Sequence, residues 1–476
     1  YYGNYEFDKE CITNRDRMFD CPQNLREEEM FEVPEWAANK VVYQIFPSRF
    51  AATEPVDKEL WYKAPITPMD DLHGNLRGII EHMDDIQNLG IDVLYMTPIF
   101  QSNSCHKYDT TDYYQIDPSF GTTEDLKELV QKAHERGMKV VLDAVYNHTG
   151  REFFAFADIL ENGEKSKYRD WYFIDGFPLK SEWGEIPNFK CFGYYGGMPK
   201  LNLKNPEVEK YITDVACYWI KECDIDGWRL DVGDEISHFF WKNFRKAVKA
   251  VKKDMLIIGE IWHYAGDFLE GDEWDTVMNY PFYLNLIDLL ADEKITVSQF
   301  VQNLGYLKGR LHKNCYPLMW NLIDSHDTAR FLHLCNDNKK KQHLAAAFQL
   351  LLPGMPMIYY GDEYAMPGAN DPDCRRGMYW DEEYQDKEMY EWYKRLIQVR
   401  KSHACIVEGE LAGSVTEDEE GTVVLIRKNG EETIAMIFNC SSSAKKFNEY
   451  TQKYNLLTEN TFDGNVEGFD AAVIVL

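Results

Sequence analysis

Arg229 and Asp231 stand two residues apart in "DIDGWRLDVGDEI", Asp224 to Ile236, within an otherwise apolar run. In an extended strand, positions i and i+2 share a face, so a guanidinium and a carboxylate aim at one place. Other polar residues follow apolar runs in the same way. Asp143, Asn147 and His148 come after "KVVL", Glu260 after "LIIG", and His326 and Asp327 after "NLIDS". Each alone has a structural reading, as a hydrogen-bond acceptor or a satisfied buried imidazole. Burying the whole set in a core would be costly, because its charges outnumber their evident partners. Together they read as a reaction centre.

The types present narrow the chemistry. There is no H-x-H or H-E-x-x-H for a metal hydrolase, and no G-x-S-x-G elbow for a serine hydrolase. Two carboxylates with opposed tasks remain, which is the equipment of a glycosidase. Asp231, beside Arg229, is expected to stay ionised because a close opposite charge favours the anion. Glu260 lies among apolar and aromatic residues in "IIGEIW", which should raise its pKa and suit it to be the acid.

Eight short apolar runs must position these groups. They begin at Val41, Val93, Lys139, Gly227, Leu256, Thr276, Leu318 and Met355, and continuous apolar runs suit a parallel sheet buried on both faces. Helical patterns separate them. "TTEDLKELVQKAHERG" has a Thr122/Asp125 capping pattern, a stripe of Leu126, Leu129, Val130 and Ala133, and a Gly137 stop. "NPEVEKYITDVACYWI" has Asn205 at the cap, Pro206 at the first helical position and a stripe of Val208, Ile212, Val215 and Trp219. Eightfold strand–helix alternation predicts an α/β chain folded as a (β/α)8 TIM barrel. A doubly wound open sheet is the alternative, but no Gly-rich phosphate turn follows the first strand. The domain reading is 33–148 and 205–402 for the barrel, 149–204 for an inserted domain after the third strand, and 403–476 for a C-terminal antiparallel β-sandwich domain. Residues 1–32 read as an N-terminal extension, the remnant of a domain or linker.

The bulk numbers exclude some classes. Fifty-one Lys and Arg against eighty Asp and Glu give a net charge of −29 over 476 residues, which repels nucleic acid and anionic membranes. No apolar run approaches the ~18 residues of a membrane span. The first residues lack a basic start, an apolar signal core and an initiator Met, so the chain reads as trimmed. Eleven Cys is an odd count with no C-x-x-C, which points to a reducing compartment, the cytoplasm.

"DAVYNH", "GWRLDV", "GEIWH" and "LIDSHDTAR" resemble, in order, the four signature regions of the α-amylase family of glycoside hydrolases. "GMPMIYYGDE" resembles that family's end-of-barrel signature, and "MPKLNLKNPEV" and "NDPDCRRGMYW" are similar to its neopullulanase, cyclomaltodextrinase and maltogenic amylase group. The resemblance implies Asp231 as nucleophile, Glu260 as general acid/base and Asp327 as a third carboxylate gripping the −1 sugar. It implies Arg229 as the charge beside Asp231, His148 and His326 as sugar ligands, and His106 and Tyr108 in "HKYDTTDYY" as a sugar ligand and a stacking platform. Asp371 and Arg375 would bind the non-reducing side. The substrate implied is an α-glucan oligosaccharide, cleaved at α-1,4 bonds with retention. Maltooligosaccharides, starch-type glucans, cyclodextrins and pullulan fit that description. A transglycosylase or exo-acting α-glucosidase would use the same residues. A non-catalytic relative would have lost a carboxylate, and here all three are kept.

Two departures from the group stand out. About 40 residues precede the first strand, where the group carries a β domain of about 100. This implies an open cleft, a monomer or weak homodimer, and a smaller preference for cyclodextrin over starch. The loop "SRFAATEPVDKELW" also lacks the Gly-Asp and Asn-Asp pairs that bind calcium in some relatives. No cofactor is expected, therefore, with calcium near Asn147 the one alternative.

Overall fold

The computed structural model describes residues 32–180 and 186–476, together with the short strands Tyr2–Gly3 and Glu6–Phe7. The expected extension 1–32 falls almost wholly outside the described residues.

Each of the eight apolar runs contains a strand: β1 Val42–Ile45, β2 Val93–Met96, β3 Lys139–Ala144, β4 Gly227–Leu230, β5 Leu256–Gly259, β6 Thr276–Val277, β7 Trp320–Asn321 and β8 Met355–Tyr359. They pair in parallel in the order β6-β5-β4-β3-β2-β1-β8-β7. A parallel bridge from Met278 to Trp320 joins the two ends, so the sheet closes into a barrel. Val42, Tyr95, Val141, Ile258, Trp320 and Met357 form one apolar cluster, while Tyr43, Leu94, Val140, Leu142 and Ile257 belong to another. Neighbours along a strand fall into different clusters because one face fills the lumen and the other meets the helices. That is why the runs are continuously apolar.

Helices return the chain between strands. The Thr122/Asp125 box forms at the start of α1, Thr123–Glu135, and buries the expected stripe. Asn205 accepts from the Glu207 amide and Pro206 opens α2, Pro206–Cys223. Alternation fails once. Between β5 and β6 the segment makes only the 3-10 turn Gly266–Phe268. "HYAGDFLEGDEWD" is too short and too rich in Gly and Asp to nucleate a helix.

The long segment between β3 and α2 holds a helix, Phe154–Asn162, and isolated bridges such as His148 to Lys200 and Tyr172 to Leu201. Beyond helix Lys387–Ser402 the chain becomes antiparallel. Strands β9 Glu410–Glu417, β10 Thr422–Asn429, β11 Glu432–Asn439 and β12 Asp470–Val475 make the body of a six-stranded sheet. A small two-stranded sheet, Lys445–Lys446 with Asn465–Val466, lies beside it. Their inner faces enclose a separate core of Val424, Ile437, Phe447 and Ile474. Among the described residues no helix is long and apolar enough to cross a membrane.

Candidate active site

Register places the charged groups. Asp143 on β3 pairs with Arg229 on β4, which pairs with Ile258 on β5. Asp231 and Glu260 follow one residue beyond their strands, at the C-terminal rim where barrel enzymes assemble their sites. The i, i+2 inference holds: Arg229 Nη1 donates to Asp231 Oδ1 at 2.8 Å. It also reaches both oxygens of Asp143 at 3.0 Å, and Nη2 lies 2.8 Å from Glu260 Oε2. All four side chains are buried.

One guanidinium is therefore divided among three carboxylates, which corrects the expectation for Asp231. Burial pushes the Asp231 carboxyl well above the usual range, with Arg229 only opposing that rise. Burial also raises Asp143, to about 6, and Glu260. The rise at Glu260 agrees with the sequence reading, burial being its largest cause, although two hydrogen bonds oppose it. Trp262 donates its indole N–H to Oε1 at 3.2 Å and Val232 its amide to Oε2 at 2.9 Å, and both favour the anion. Desolvation and neighbouring carboxylates keep the net shift upward. Burial disfavours the anion at each of the three carboxylates, and the shared Arg229 opposes that rise at each.

Val232 is itself unusual. It sits at φ +46°, in the left-handed region that β-branched residues avoid. The local strain turns its amide onto the acid, a common trade at functional sites.

A cavity of about 410 Å³ opens above these groups, with Asp231, Glu260, Asp327, His106, Tyr108 and His148 in its wall. Asp371 and Arg375 line it too, joined by a 2.7 Å ion pair, and Arg375 Nη2 stands 3.4 Å from Asp327 Oδ1. His326 lies directly behind, its Nε2 3.2 Å from Asp327 Oδ2. The structure thus brings all ten expected residues together.

Burial disfavours the charged form of all three imidazoles, holding His148 down at about 4, His326 well below its usual value and His106 below it as well. His106 Nδ1 accepts the Tyr108 amide at 3.1 Å, so its proton is on Nε2. Gln44 Nε2 lies 2.7 Å from His326 Nδ1, and an amide N–H can only donate, which leaves the His326 proton on Nε2 also. His148 stacks on Phe192 at 5.0 Å, and its Nε2 has no partner among the described residues. Neutral donors of this kind suit hydroxyl groups.

Tyr108 was expected as a stacking platform. Its ring lies parallel to His326 at 5.5 Å, and its hydroxyl donates to Asp143 Oδ2 at 3.0 Å and meets His326 Nε2 at 2.5 Å. It braces the charged cluster as well as lining the cavity. Sequence reasoning missed Phe192, Met198, Val232 and Trp262 in the wall. "GEIWH" carried a signal for Trp262, but nothing local marked Phe192. Among the described residues no group of three His, Cys, Asp or Glu side chains is placed to hold a metal. Near Asn147, Glu235 Oε2 accepts from Asn147 Nδ2 at 3.1 Å and pairs with the Lys200 ammonium at 2.7 Å.

Comparison with known proteins agrees with this arrangement. The sequence signature described as "Alpha amylase, catalytic domain" matches residues 44–409. A cyclomaltodextrinase of Geobacillus thermopakistaniensis (strain MAS1) is 45% identical over 447 residues, 93% of this chain and 76% of that protein. Neopullulanase 2 of Thermoactinomyces vulgaris is 42% identical over 421 residues, 87% and 72%. A solved cyclomaltodextrinase superposes with a TM-score of 0.91 at 38% identity, covering 99% of this chain and 84% of that one. A cyclic α-maltosyl-(1→6)-maltose hydrolase from Arthrobacter globiformis gives 0.85 at 36% identity, covering 93% and 100%. A closed barrel with its carboxylates on one rim, matched over most of its length, makes this chain a member of the alpha-amylase family of glycoside hydrolases.

Proposed function

We propose that the protein hydrolyses α-1,4-glucosidic bonds in maltooligosaccharides and starch-type glucans, and takes cyclodextrins and pullulan, by double displacement. The carrying observation is the Arg229 bridge. Asp231 and Glu260 sit on the two terminal nitrogens of one planar group. This supports the short carboxyl separation of a retaining site, about 5–5.5 Å, over the wider gap that admits a water between the carboxyls. Asp231 Oδ attacks the anomeric carbon while Glu260 gives its proton to the departing glycosidic oxygen. Water then attacks the glycosyl–Asp231 ester, losing its proton to Glu260 and freeing Asp231. Asp327, His106, His148 and His326 hold the hydroxyls of the reacting sugar, and the Asp371–Arg375 pair holds the non-reducing side. Proton NMR of freshly released sugar is expected to show the α-anomer first, and initial β-anomer would refute double displacement.

No cofactor is part of this reading: the Lys200 ammonium already serves Glu235 beside Asn147. A net charge of −29 disfavours close self-association and supports a monomer or weak homodimer. The nine cysteines among the described residues are all free thiols, and a relative 41% identical is named intracellular maltogenic amylase of Bacillus subtilis. Both support a cytoplasmic location.

A further inference from the structure

A second cavity, of about 380 Å³, lies between the segments that leave the C-terminal ends of β1 and β8. Thr53, Glu54, Lys58, Tyr62, His82 and Trp380 stand in its wall. Its aromatic groups are held in place. Trp380 donates its indole N–H to Phe50 O at 2.5 Å, and the neighbouring Trp61 donates to Met378 O at 2.8 Å. The Tyr62 hydroxyl accepts the Asp381 amide at 3.0 Å. His82 stacks on Trp380 at 3.6 Å and Tyr62 on Tyr384 at 4.0 Å. Backbone engages the polar tips of Trp380, Trp61 and Tyr62, and Asp85 Oδ2 holds His82 Nδ1 at 2.8 Å. Each stack covers one face of Trp380 and Tyr62, so a ligand would meet only their remaining ring surface.

The charged groups around them narrow the ligand class. Lys58 is paired with Asp381 at 2.7 Å and with Glu383, and Glu54 adds another carboxylate to the wall. An anionic ligand would meet more carboxylates than ammonium groups, on a chain of net charge −29. A purely apolar ligand would strip water from those charges without replacing it. A neutral, hydroxyl-rich ring with an apolar face satisfies both kinds of wall.

The cavity is also tied to the cleft. The chain runs from Asp371 and Arg375 in the cleft to Trp380 here, and is strapped to the β1 side by Met378 N to Arg49 O at 2.9 Å and Ile66 N to Asp373 Oδ1 at 3.2 Å. We propose that the cavity walled by Trp380 and Tyr62 is a second α-glucan-binding site, which holds long chains beside the cleft. This rests on the reading of the cleft as an α-glucan hydrolase.

Two measurements test it. Calorimetric titration of the Asp231→Asn protein with maltoheptaose should give two sites, and one site after Trp380→Ala is added. Binding to Asp231→Asn whose number of sites is unchanged when Trp380→Ala is added would overturn the proposal. In the otherwise intact enzyme, Trp380→Ala and, separately, Tyr62→Ala should lower kcat/KM on soluble starch about three- to tenfold, the size of one lost ring contact. Maltotriose turnover should be unchanged in both. If the Trp380 variant melts early, Tyr62→Ala carries the test, including the loss of the second site. Equal losses on maltotriose would make the cavity part of the cleft's own support and end the proposal. If the wild-type protein cleaves no α-glucan, the reading of the cleft fails, while the two-site titration still judges this cavity.

Discussion

At the scale of single residues, the sequence placed the chemistry and the rise at Glu260 but misjudged the charge balance at Asp231. Spacing put Arg229 and Asp231 on one face, and they touch. It could not show that Asp143 and Glu260 lean on the same guanidinium, because those contacts cross strands far apart in the chain. Asp231→Asn and Glu260→Gln should each lower kcat on maltotriose by at least about 10²–10⁴-fold with the melting temperature nearly kept, since each removes a nucleophile or proton donor that binding cannot replace. Near-wild-type turnover in either would remove it from its role. His148 gives a pH prediction. Its folded pKa, about 4, is depressed by burial below the ordinary value near 6.5. Acid therefore protonates the unfolded chain first. The contribution of the neutral ring is whole above about 6.5 and is lost as pH falls towards 4. Relative to His148→Asn, the wild type should lose on the order of 2–3 kcal/mol over that range in denaturant titrations. A constant difference would show that the ring is not held neutral.

At the scale of elements, the strands were legible because burial on both faces leaves continuous apolar runs. Caps at Thr122 and Asn205 were legible because they are local chemistry. The missing helix between β5 and β6 was not foreseen, since eightfold alternation was extrapolated across a segment whose composition opposes it. That segment instead delivers Trp274, fully buried and stacked on Phe268 at 4.1 Å. A Cβ on Gly259, the last residue of β5, would stand 2.1 Å from Trp274 Cε3. Gly259→Ala should therefore cost about 1–3 kcal/mol by overpacking and lower kcat, because Glu260 is the next residue. Gly305→Ala, where a Cβ meets nothing within 4 Å on helix Val297–Arg310, should be neutral or mildly stabilising. Melting curves of the two variants should separate, and similar curves would discount the close approach.

At the scale of the whole molecule, barrel and inserted segment meet around a site that needs no bound ion in the proposed reading. Lys200 comes from the insertion, Asn147 from the end of β3 and Glu235 from the turn after β4, and the three are joined through the Glu235 carboxylate. Incubation with EDTA should leave activity, melting temperature and the light-scattering mass unchanged. Loss of activity restored by Ca²⁺ would place a metal in the fold after all.

What the sequence determined alone is whatever is written in short-range pattern. The strand runs, the capped helices and the rim residues His148, Arg229, Asp231, Glu260, His326 and Asp327 are of this kind, because period, caps and motif spacing act over a few positions. His106, Tyr108, Asp371 and Arg375 came instead from the family resemblance of their segments. Tertiary structure decided the rest. Closure through Met278 and Trp320, the sharing of Arg229 by three carboxylates, the strained Val232 amide on Glu260 and the bracing of Tyr108 by Asp143 and His326 all join distant segments. Charge and proton balance depend on burial and on every neighbour at once, and those are properties of the folded chain, not of any stretch of it.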